Sequence, residues 1–109
     1  MTSVRKRFQG VVVPLVTPYT EDQALDEPAV ARILDHVLES GVRAVLLLGT
    51  TGKGTSMASA MRLRMVEVAM EHLEGKATVY ANVSSDSLAE SIDAAERFHA
   101  LGVDAVVAA

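Results

Sequence analysis

Leu46-Leu47-Leu48-Gly49-Thr50-Thr51-Gly52 is an apolar run that stops at two hydroxyls held between two glycines. The approach through Ala44 and Val45 makes it a strand that needs no polar alternation, as in a sheet covered on both faces. A Gly-Thr-Thr-Gly tip lets the backbone come close to a ligand. Its threonines add hydroxyl and N–H donors of the kind an anion prefers. The same residues also suit a strand-to-helix turn, with glycine supplying φ > 0 and threonine local hydrogen bonds. Taken alone, they leave both readings open.

Outward from this run, strands alternate with helices. Gly10 to Val16 reads as a first strand, ended by Thr17-Pro18 because proline brings no donor to a ladder. A polar loop from Tyr19 leads to Asp26, a helix cap with Pro28 in the first turn. Val30, Ile33, Leu34, Val37 and Leu38 form one helical stripe, and Gly41 is its stop. A second helix, from about Ser59 to Glu74, buries Met61, Met65, Val66, Val68, Ala69 and Leu73. Methionine at helical spacing is core filler here. Gly75 ends that helix, and Thr78 to Val83 reads as the third strand. Ser87 with Glu90 forms a capping box for a third helix, whose stripe is expected to be Leu88, Ile92, Ala95 and Leu101. A last strand runs from about Val103 to Ala109.

The order β-α-β-α-β-α-β implies right-handed crossovers and a parallel sheet. Gly41-Val42-Arg43-Ala44-Val45 returns as Gly102-Val103-Asp104-Ala105-Val106, with one mismatch in five. Both copies fall where a helix gives way to a strand, so they mark where strands begin. The last strand has no turn after it, and the chain reads as interrupted.

One domain fits in 109 residues, half of them hydrophobic, with 4% aromatic residues and no tryptophan. A core of Val, Leu, Ala, Ile and Met suits buried parallel strands. The net charge of −4 and the lack of a basic stripe argue against nucleic acid, and Arg5-Lys6-Arg7 reads as a solvated end. With no cysteine, disulfides, thiolate metal sites and cysteine nucleophiles are excluded together. No apolar stretch approaches the roughly 20 residues of a membrane span, nor does the start resemble a signal peptide. A soluble, cytoplasmic protein is expected. His36, His72 and His99 fall on three different helices and read as surface residues, not metal ligands.

Gly52-Lys53-Gly54-Thr55 imitates the end of a phosphate-binding P-loop. That motif needs a glycine where Leu47 stands and Ser or Thr where Gly54 stands, so a nucleotide site does not follow.

The stretch G-V-V-V-P-L-V-T-P from Gly10 to Pro18, the tip Gly49 to Gly52 and G-V-D-A-V-V from Gly102 together resemble the N-terminal part of the dihydrodipicolinate synthase and N-acetylneuraminate lyase family. The resemblance runs from Gly10 to the end. It implies a parallel α/β fold of the (β/α)8 TIM-barrel type, with residues 1–109 holding the first three and a half βα units of a single barrel domain. It further implies a class I aldolase that joins or cleaves carbon–carbon bonds through a lysine imine on pyruvate or a related 2-keto acid. No metal and no organic cofactor is implied. A homo-oligomer is expected, with no nucleic-acid or membrane partner.

Carried onto this chain, the family pattern makes Thr51 the holder of the keto-acid carboxylate and Thr50 part of the catalytic proton relay. Gly49 and Gly52 flank them, and Thr17 packs at the floor of the site. The family's Schiff-base lysine and its tyrosine lie on later strands, beyond Ala109. Lys53 stands where relatives usually have glutamate and reads as a solvated loop charge. Two other departures stand out. Ser59 is followed at the capping-box position by Arg62, a charge expected to be unfavourable at a helix start by a few tenths to about 1 kcal/mol. Asn82-Val83-Ser84 replaces the usual glycines after the third strand. The same elements also allow another reading, a non-catalytic small α/β module or a half-barrel that self-associates.

Overall fold

The computed structural model describes residues 11–49, 59–84 and 87–107. Four strands, β1 (Val13–Pro14), β2 (Ala44–Leu47), β3 (Thr78–Asn82) and β4 (Ala105–Val107), alternate with α1 (Glu27–Glu39), α2 (Ser59–Leu73) and α3 (Leu88–Ala100). The strands are parallel and lie in sequence order, β1-β2-β3-β4. Right-handed crossovers between sequential neighbours put every helix on the same side of the sheet. There α1 packs on α2, and α2 on α3. This is the wall of a barrel, not a doubly wound sheet.

Local chemistry explains the boundaries. The Asp26 carboxylate accepts the Ala29 N–H at 3.1 Å and starts α1 beside Pro28. The Ser87 hydroxyl accepts the Glu90 N–H at 3.3 Å and starts α3. The five-residue echo has a structural counterpart. Gly41 and Gly102 both follow a helix with φ of +91° and +94°, and the alanine three positions on opens β2 or β4.

The ladder in β1 is shorter than the apolar run implied. It is confined to Val13 and Pro14, then Leu15 N–H donates to the Leu46 carbonyl at 3.0 Å. Since alternate residues of a parallel strand bond to opposite sides, Pro14 turns its missing donor away from β2. The fourth strand begins at Ala105 rather than Val103.

Register sorts the sheet into two faces. Val13, Val45 and Val79 stand in one row, as do Leu47, Ala81 and Val106. Val45, Leu47, Val79 and Ala81 are fully buried against the helices with Val30, Leu34, Met65, Val66, Ala69 and Phe98. The other face carries the row Pro14, Leu46, Tyr80 and Ala105, extended by Val12, Val16 and Val107. Those three valines are 37%, 55% and 36% exposed. This is the face a closed barrel turns inward.

The third helix departs from its expected stripe. Phe98, at 2% exposure, is its buried anchor, with Ala94, Ala95 and Leu101 packed beside it. Leu88 and Ile92 point outward at 78% and 52% exposure. Two alanines set the packing face because they let the helix approach closely, and the larger aliphatics lie off it.

Candidate functional site

Parallel strands bring all four C-terminal ends to one edge, the edge that carries the chemistry in barrels of this type. Extending the β1–β2 register by three residues sets Thr17 level with Gly49. Thr17 is 5% exposed. Gly49 is buried, and a Cβ there would stand 3.2 Å from Leu46 Cδ2, so even alanine would have to push that side chain aside. Thr50, Thr51, Gly52 and Lys53 lie outside the described residues.

Just before that tip, the backbone takes an uncommon turn. Leu48 has φ of +62° while its side chain is fully buried. The left-handed region costs a leucine about 1–2 kcal/mol. Across from it on β3, the Asn82 carboxamide donates from Nδ2 to the Leu48 carbonyl at 3.0 Å. Its Oδ1 accepts the Ser84 N–H at 3.1 Å. From α2, Arg62 Nη2 donates to the Asn82 backbone carbonyl at 3.0 Å. Three elements thus meet at the end of β2 through one asparagine.

Arg62 therefore does not stand as an exposed charge at a helix start. It is 7% exposed and reaches into the sheet, with its Nε buried and unpaired among the described residues. Burial pushes its pKa below the ordinary guanidinium value, and the Glu90 carboxylate opposes that shift. Both line an open groove of about 510 Å³ between α2 and α3, with Leu63 and Phe98 as its apolar wall. Sequence reasoning noted Arg62 and Asn82 only as departures. Nothing local to either residue says that they bond to each other, and a leucine gives no signal for positive φ.

The remaining candidates sit apart. His72 Nε2 lies 2.7 Å from Asp35 Oδ1 and joins α2 to α1, while His36 and His99 are exposed. Among the described residues no group of three or more His, Cys, Asp or Glu side chains could hold a metal ion. No helix there is long and apolar enough to cross a membrane. Beside the His72 contact, Arg64 grips both oxygens of Glu27 at 2.8 and 2.9 Å, tying α2 to α1 a second time. That fork holds the Glu27 carboxyl below the usual glutamate range and raises the Arg64 pKa.

Residues 7–109 match the family model described as the dihydrodipicolinate synthetase family. A 4-hydroxy-tetrahydrodipicolinate synthase of Methanothermobacter thermautotrophicus is 30% identical over 93% of this chain and 36% of its own length. A probable 2-dehydro-3-deoxy-D-pentonate aldolase of Escherichia coli is 31% identical over 94% of this chain and 34% of its own. Among solved structures, a dihydrodipicolinate synthase from Bacteroides thetaiotaomicron superposes with a TM-score of 0.87 at 34% identity, covering 91% of this chain and 33% of that one. YagE, an Escherichia coli prophage protein of the dihydrodipicolinic acid synthase family solved in complex with pyruvate, gives 0.90 at 25% identity, covering 93% and 34%. The chain spans about a third of the length of the curated relatives it matches.

Proposed function

The chain belongs to the dihydrodipicolinate synthetase family, and from that premise we propose that its 109 residues form the first part of a single barrel domain acting on pyruvate or a related 2-keto acid. The observation that carries the proposal is the family match running through Gly49-Thr50-Thr51-Gly52, which follow in sequence the strand whose C-terminal end lies on the barrel's reactive edge. The parent activity is aldol addition or cleavage. A lysine on a later strand attacks the keto carbon and loses water to form an imine, which then withdraws electrons from the adjacent carbon. That chemistry needs neither a metal nor an organic cofactor.

In this scheme the hydroxyl and backbone N–H of Thr51 hold the carboxylate, since an anion wants oriented donors already in place. Thr50 passes a proton, Gly49 and Gly52 give the tip its close approach, and Thr17 supports the pair from the strand beside it. The protein is a cytoplasmic homo-oligomer in this reading.

Borohydride trapping tests the scheme. Incubated with pyruvate and borohydride, the 109-residue chain should show no aldolase turnover and gain no adduct on Lys53. An enzyme carrying these residues together with a lysine-bearing later strand should gain a stable pyruvyl mass shift on that strand. A shift mapped to Lys53 would overturn the assignment.

A further inference from the structure

We infer that Asn82 is a positioning residue for the end of β2: its carboxamide holds Leu48 in the left-handed conformation and so fixes how the chain passes from Leu48 into Gly49. The geometry at Leu48 stands independently of the keto-acid reading.

A buried leucine does not choose φ of +62° for itself, because its Cβ crowds the neighbouring carbonyl there. Something outside the residue must favour that state, and the Leu48 carbonyl shows what does. It accepts a hydrogen bond from the carboxamide of a residue that is itself 3% exposed and whose amide oxygen is also hydrogen-bonded. The orientation of the Asn82 amide follows from its neighbours. Leu48 offers a carbonyl, which can only accept, so the NH₂ must face it. Ser84 offers an N–H, which can only donate, so the oxygen must face that side. Both requirements select the same rotamer.

Arg62 completes the brace from α2. Its guanidinium bonds the Asn82 backbone carbonyl, so the base of the carboxamide cannot swing away from Leu48. An aspartate at position 82 would match the shape but bring only acceptors, and a glycine would bring no side chain at all. Of the side chains of this size, asparagine alone meets the Leu48 carbonyl and the Ser84 N–H together.

Heteronuclear NMR of the 109-residue chain, with no pyruvate present, tests this. A residue with positive φ gives a strong intraresidue HN–Hα cross-peak, because the two protons are brought close together. Wild type should show it at Leu48. Asn82→Asp, which exchanges the amide donor for a charged, acceptor-only carboxylate, should weaken that peak. It should also speed amide exchange at Leu48 and Gly49 by about fivefold, the factor for one ordinary hydrogen bond. Asn82→Gly should do the same without adding a charge. Val37→Ala, at the far end of α1, should lower the melting temperature and leave the Leu48 peak intact. An unchanged peak in both Asn82 variants would overturn the inference, and so would its loss in Val37→Ala. With pyruvate absent, the result is separate from the keto-acid reading, which stands or falls on the kinetics of the threonine variants.

Discussion

Valine matches threonine in shape, so Thr51→Val in an enzyme carrying these residues removes a hydroxyl and little packing. The loss of a hydrogen bond to a charged group costs about 1.5–3 kcal/mol, so the pyruvate KM should rise about ten- to hundredfold. The backbone N–H survives, and binding should persist. Thr50→Val should instead lower kcat more than it raises KM, as expected of a group that moves a proton. Steady-state kinetics with pyruvate varied, beside thermal unfolding of each variant, checks both. Early unfolding with normal kinetics would leave the threonines as turn formers only. At this scale, what the sequence made legible was what neighbours in the chain decide. Gly49 and the threonines stood out because an apolar run ends there. The partnership of Arg62 with Asn82 did not, because 20 residues separate them and only folding brings a long guanidinium to that carbonyl.

Helices and strands were legible where a periodic pattern met a terminator. The stripe of α1, from Val30 to Leu38, lies against the core as its spacing demanded, and the repeated Gly-Val-x-Ala-Val marked the starts of β2 and β4. The face of α3 was half legible: Ala95 and Leu101 of the expected stripe pack on the core, but its anchor Phe98 was left out and Leu88 and Ile92 point outward. The consequence is measurable. Phe98→Ala should cost about 3–5 kcal/mol in chemical denaturation, while Ile92→Ser should stay within about 0.5 kcal/mol. The Arg64–Glu27 fork between α1 and α2 makes a second prediction. Because the folded carboxyl titrates below its ordinary value of 4.5, the fork's contribution is complete above that pH. It is lost as pH falls through the lowered folded value. Glu27→Gln should therefore melt earlier than wild type near neutrality, by a small margin since both side chains are half-exposed. The two melting curves should converge in acid.

For the molecule as a whole, the class of fold followed from the order of elements, but which face of the sheet the helices cover did not. A one-residue change of register exchanges the two faces, and an all-apolar strand carries no alternation to settle it. The structure assigns Val45 and Leu47 to the helices and leaves Val12, Val16 and Val107 uncovered on the other side. The separate 109-residue chain should consequently self-associate, with a sedimentation coefficient that rises with concentration. Val16→Lys should reduce that association. Pro14 gives the sheet a polarity of growth. With no N–H to offer outward, the β1 margin refuses one bond of any ladder laid against it, whereas β4 presents an ordinary backbone. A strand added to the separate 109-residue chain should therefore bond more fully at the β4 margin than at the β1 margin. Replacing Pro14 with valine would make both margins receptive, and light scattering should then report larger species.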